Sequence, residues 1–328
     1  MRSLVRVAVL GVAIVVAGCS AAATPTPPPP TTAPSAAPSE AASASPAASA
    51  SAGASAAASP GASGASLACD RPDLKTLTQG KLTIGTDNPA YGPWFAGPAP
   101  AASSKWENAD PNNGQGLEAA TAYLIAAQLG FPKADVVWVQ VPFLSAIQPG
   151  PKTFDMDLNQ VSYSADRAQA VDLSDGYFDN NQAVTAFKGT PIANSTLVAQ
   201  LKNFRLGTSV GTTSLAYIQN NIQPLRQTRV YNTLDAAIAG LKAKQIDGVV
   251  ADLGTSYFIR DVQLTNGVIV GELPTVGDQE HFSVVLDKGS SLTGCVNQAI
   301  QALTANGDLE SLRQEYIVKV EGDVPMFK

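Results

Sequence analysis

From residue 81 to residue 287 the chain alternates between segments with the period of a strand and segments with the period of a helix, and that alternation limits the fold more than any other feature. "KLTIGTD" has strand character, "GLEAATAYLIAAQLG" places Leu117, Tyr123, Leu124 and Ala127 on one side of a helix, and "ADVVWVQV" is a second strand. In "FDMDLNQV" Phe154, Met156 and Leu158 alternate with Asp155, Asp157 and Asn159, the period-2 pattern of a strand with one apolar face. The series continues through "FRLGTSV", "TSLAYIQNNI", "RVYNT", "LDAAIAGLKAKQ", "DGVVAD", "GVIVG" and "HFSVVLD". Repeated strand–helix–strand units predict an α/β protein with mostly parallel sheets. A final stretch from residue 290 carries Leu292, Val296, Ile300 and Leu303 at helical spacing, breaks at Gly307 and resumes with Leu309 and Leu312.

The region before residue 67 cannot contribute to that fold. Arg2 and Arg6 precede an apolar run from Val7 to Ala17, too short to span a bilayer but suited to the core of an export signal. The run ends in "VVAGCS", which resembles the lipobox of bacterial lipoproteins; the resemblance implies cleavage after residue 18 and acylation of Cys19 as a membrane anchor. From Ser20 to Ser66 the chain is nearly all Ala, Ser, Pro, Thr and Gly, with Glu40 as its only charge, so it has nothing from which to build a core. It reads as a disordered tether, spanning on the order of 40 Å as a coil and up to roughly 150 Å as polyproline II. Its alanines inflate the apolar fraction of the chain. The full chain carries 21 basic and 27 acidic residues; without Arg2 and Arg6 the balance is 19 − 27 = −8, which gives no electrostatic reason to seek nucleic acid or anionic lipid.

Catalytic and metal chemistry find little material. His281 is the one histidine and stands before "FSVVLD", where a packing or surface role outweighs general-base work. Three cysteines with no Cys-x-x-Cys and no second histidine offer no transition-metal site, and no cofactor is expected. "GTSVGTT" lacks the Gly-Lys-Ser/Thr ending of a phosphate-binding loop. Arg167 is more suggestive, since it lies just past the strand "FDMDLNQV", at a turn opening a short amphipathic helix. Loops leaving strand ends are where α/β scaffolds hold ligands.

Five segments in order carry a family resemblance. "KLTIGTDNPAYGPW", "GQGLEAATAYLIAAQLG", "NQVSYSADRAQAVDLSDGYF", "LGTSVGTTSLAYI" and "LKAKQIDGVVAD" resemble the opening strand and aromatic turn, first helix, hydroxyl-and-arginine stretch, Gly-Thr-Thr loop and Asp-bearing strand of the extracellular solute-binding proteins of amino-acid ABC transporters. The resemblance spans roughly 260 residues and implies a two-lobed periplasmic-binding-protein type 2 fold joined by two crossing strands. Lobe 1 is expected to comprise 67–186 and 287–328, and lobe 2 to comprise 187–286.

The function implied is capture of a free amino acid between the lobes and delivery to a membrane permease, by a monomer. Closing a cleft over a zwitterion strips water from a carboxylate and an ammonium together, and both then need partners. By the resemblance Arg167 meets the carboxylate, with backbone N–H groups near Ser162 and in the Thr212–Thr213 loop adding donors, while Asp252 accepts the ammonium from the other lobe. Tyr91 and Trp94 would line the cleft, Asp87 would hold a polar or basic side chain or else cap a turn, and Asn159, Gln160 and Ser209 complete the set. The pattern is not followed throughout: one residue is added between Asp87 and Tyr91, and Asp157 and Gln160 replace small or apolar residues. The ligand side chain expected is polar, such as that of glutamine, or basic. Cys69 and Cys295, the thiols left once Cys19 is acylated, are expected to pair, because the family's terminal helix packs back on the first lobe. A dehydratase on the same fold and a sensory lipoprotein are the alternatives, distinguished by turnover of prephenate-like substrates and by a neighbouring permease gene.

Overall fold

A computed structural model describes Cys69 and residues 71–319 and 324–328. The export signal, Cys19 and the tether lie outside the described residues.

Ten strands form two five-stranded sheets. The first contains β1 (Leu82–Thr86), β2 (Val136–Gln140), β3 (Met156–Asp157), β4 (Asp172–Asp179) and β10 (His281–Leu286), in the order β2-β1-β3-β10-β4. The second contains β5 (Gln182–Phe187), β6 (Leu206–Ser209), β7 (Arg229–Tyr231), β8 (Gly248–Asp252) and β9 (Gly267–Glu272), in the order β7-β6-β8-β5-β9. In each sheet three neighbouring strands are parallel, and the strands that run between the lobes join antiparallel. The sheets are therefore mixed rather than mostly parallel.

Both faces of each sheet are covered. Val284 joins the core under the helices Leu117–Gln128 and Thr293–Ala305, while its neighbour Val285 joins a smaller cluster with Val141, Phe154 and Val161. Val249 and Val250 divide in the same way in the second lobe. A strand buried on both faces needs a continuous apolar run, which accounts for "GVVAD". It also corrects the reading of residues 154–159: all six are buried, and regular pairing reduces to Met156–Asp157 wedged between β1 and β10. The helix opening at Arg167 is a single turn, Arg167–Ala170, followed at once by β4.

Strand pairing also moves the expected lobe boundaries. The chain changes sheet at residues 180–181, not after 186, and returns through 273–280, so that β10 belongs wholly to the first lobe. The C-terminal residues lie on the second lobe: Phe327 packs in its core, and Lys328 exchanges backbone hydrogen bonds with Thr196 and Val198. Cys69 and Cys295 are bonded, with Cα atoms 5.4 Å apart, fastening the start of the described chain to the helix Thr293–Ala305.

Candidate functional site: a cleft between two lobes

Parallel strands deliver their C-terminal ends to one rim of each lobe, and the candidate residues stand on those ends. Asp87 follows β1, the segment Asn159–Ser162 follows β3, Ser209 ends β6 ahead of Thr212 and Thr213, and Asp252 ends β8. The rims face each other across a cavity of about 460 Å³. Asp87, Tyr91, Asn159, Gln160, Ser162 and Arg167 line it from the first lobe, and Ser209, Thr212, Thr213 and Asp252 from the second.

Trp94 does not line it. The indole is fully buried, edge-on to Phe178 and Phe282, and donates from Nε1 to Thr255 Oγ1 at 3.4 Å. It also lies where a Cβ on Gly254 of the opposite lobe would come within 2.2 Å of its ring. Trp94 is thus a packing residue between lobes, correcting the expectation of a cavity wall. Phe143, the first residue of the short helix Phe143–Ile147 after β2, supplies an aromatic wall instead.

The lobes touch. Tyr91 stacks on Phe258 with ring centroids 4.3 Å apart. Arg167, 9% exposed, donates through Nη1 to Ser162 O at 2.5 Å and through Nη2 across the cleft to Gly211 O at 2.7 Å, and lies 5.4 Å from the centroid of the Phe143 ring. Burial lowers its pKa to about 10, opposed by the negative charge of Glu280, and the guanidinium stays protonated at neutral pH.

Asp252 caps the helix Leu253–Phe258 by accepting from Thr255 N at 2.7 Å. Burial raises its carboxyl to about 6 against the hydrogen bonds from Thr255. Asp87 accepts from Asn88 N at 2.7 Å and from Phe143 N at 3.2 Å; burial raises its pKa, and Asp235 on the other rim adds to the shift. The turn role and the cavity role considered for Asp87 therefore coexist.

Glu118 and Glu280 were not anticipated. Glu118, fully buried, accepts from Gln160 N at 2.7 Å, from the Gln160 side-chain amide and from Tyr177 OH at 2.5 Å, fixing Gln160 at a φ of 48°. Burial raises its carboxyl to about 7 in opposition to those bonds. A lone acid in the apolar run "GLEAATAYLIAAQ" was its sequence signal. Glu280 reaches Ser162, Thr213 and Gln182 from the hinge. Asp157 is fully buried under the first-lobe rim with neither oxygen hydrogen-bonded, and burial, with help from Glu118 and Asp87, raises its pKa far above the usual carboxylate range.

Two α/β lobes joined by crossing strands, with strand-end residues gathered round a cleft, define a binding protein of the periplasmic type. The model of the bacterial extracellular solute-binding proteins, family 3, matches residues 102–319, and the chain belongs to that family. It is 28% identical over 200 residues to the L-arginine-binding protein of Pseudomonas aeruginosa, covering 56% of this chain and 73% of that protein. It is 24% identical over 172 residues to a probable histidine-binding protein of Neisseria gonorrhoeae, covering 51% and 62%. The solved arginine-, lysine-, histidine-binding protein of Geobacillus stearothermophilus shares the fold with a TM-score of 0.58 at 19% identity, over 74% of this chain and 97% of that one.

Proposed function

We propose that the cleft captures one free amino acid with a cationic side chain, that the protein is held at the outer face of the membrane by an acylated Cys19, and that it passes its ligand as a monomer to an ABC permease. The observation that carries this reading is the pairing of Arg167 on one lobe with Asp252 on the other, both on the cavity wall. An α-carboxylate and an α-ammonium bound there neutralise both and bridge the lobes.

The charged residues lining the cavity are Arg167, Asp87, Asp235 and Asp252. Once a zwitterion has paired with Arg167 and Asp252, Asp87 and Asp235 remain, one on each rim. Closing the cleft brings these like charges together, and a cationic side chain between them relieves the repulsion. Between the polar and basic side chains expected from the sequence, this favours the basic one, in keeping with relatives named for arginine and histidine.

Thermal-shift measurement with each of the twenty amino acids tests the proposal. Ligand at a hundred times its Kd stabilises by about 2.7 kcal/mol, enough to move the midpoint by several degrees. Arginine and lysine are expected to give the largest shifts; a flat response to all twenty would reject amino-acid binding.

A further inference from the structure

Glu280 ends the segment 273–280 that returns the chain from β9 to β10. Its carboxylate accepts from Ser162 Oγ at 2.5 Å, from Thr213 Oγ1 at 2.7 Å, and from Gln182 Nε2 at 3.0 Å to each oxygen. Those donors come from three places that closure brings together: the first-lobe rim, the second-lobe rim and the start of the crossing strand β5. Gln182 is itself tied to the second rim, accepting from Ser214 Oγ at 2.6 Å.

Ser162 and Thr213 are two of the residues expected to hold a ligand's carboxylate. A hydroxyl has one proton, and once it is donated to Glu280 only lone pairs are left for anything else in the cavity. Arg167 stays outside this network. Its guanidinium donates to two backbone carbonyls, and it forms no ion pair among the described residues. A carboxylate carried by the chain thus already bonds both rims while the guanidinium is left for a ligand.

We propose that Glu280 is a positioning residue that joins the two rims from the hinge and stabilises the closed arrangement of the lobes through the Ser162 and Thr213 hydroxyls. The latch is independent of the ligand's identity; the affinity change read with L-arginine rests on the amino-acid reading above. Apparent affinity scales with the fraction of molecules in the binding-competent state, so losing the latch weakens binding without removing any group that touches the ligand.

The test is an interlobe distance. Nitroxides are placed at Ala134→Cys in the first lobe and Asn220→Cys in the second, in a Cys19→Ser background, and pulsed dipolar spectroscopy is recorded without ligand. The unsubstituted hinge should give one short distance. Glu280→Ala should give a longer or divided distribution that returns to the short one with saturating L-arginine, and an apparent Kd at least fivefold weaker. Glu280→Gln, nearly the same shape but with an amide N–H₂ set against the Gln182 donor, should fall between and guards against a folding defect. Identical distances for all three without ligand would overturn the latch, as would an open parent protein or tighter binding by Glu280→Ala. Should no amino acid bind at all, the proposed function fails, while the unliganded distances still decide the role of Glu280.

Discussion

Removing the Arg167 guanidinium separates binding from folding. Of its five N–H donors, two are engaged by the carbonyls of Ser162 and Gly211, leaving 5 − 2 = 3 for a ligand. That suffices for a two-pronged grip on a carboxylate. In Arg167→Ala the ligand's carboxylate enters the same closed cavity without a cation, at a cost of roughly 2–5 kcal/mol, or about 30-fold to several thousandfold in Kd. The apoprotein suffers less. Burial already lowers the guanidinium pKa to about 10, so deleting the group removes a desolvation cost along with its two hydrogen bonds. Arg167→Lys keeps the charge and loses the fork, and should bind between the two. Titration calorimetry on the three proteins, with circular dichroism as a check on folding, reads the outcome. An Arg167→Ala protein that is folded and binds within threefold of the parent would refute the assignment.

Asp252 should make binding depend on pH. The free protein holds a proton there up to about 6, and an ammonium needs the ionised form, so affinity should be level above pH 6 and fall by up to about tenfold per unit below it. Asp252→Asn should bind weakly without that slope, and titrations from pH 4.5 to 8 compare them. Asp157→Val should stabilise the protein by about 1–3 kcal/mol, seen as a higher urea midpoint, because a buried carboxyl without partners is removed from an apolar cluster; an unchanged or lower midpoint would count against this. Replacing Cys69 and Cys295 by serine should cost about 2–5 kcal/mol, since their bond closes a loop with a sequence separation of 226, and neither thiol should be alkylated in the unreduced protein.

What was legible in the sequence came from local rules for the elements and from the family resemblance for the site. Strand and helix periods located nearly every element, while Asp87, Ser209 and Asp252 were named through the family resemblance, and each stands at or just past a strand end. What was not legible depended on pieces distant in the chain. Trp94 resembles a cleft aromatic until Gly254, 160 positions later, closes over it. Glu280 acquires partners at Ser162 and Thr213 only when both rims are in place, and no periodicity marks it. Alternating polarity in residues 154–159 marked one apolar face and left Asp157 without a visible partner; sheet order buries both faces, stranding Asp157 where neither carboxylate oxygen finds a donor.

Titration calorimetry of the protein with L-lysine and, separately, with L-norleucine tests the central claim most directly, because the two share a backbone and a side-chain carbon skeleton and differ only in the terminal ammonium. If the cleft grips the backbone charges with Arg167 and Asp252 and the side chain between Asp87 and Asp235, lysine binds one to one and at least tenfold more tightly than norleucine. Equal affinities would contradict the role given to the acidic pair, and no heat from either would contradict amino-acid capture by this cleft.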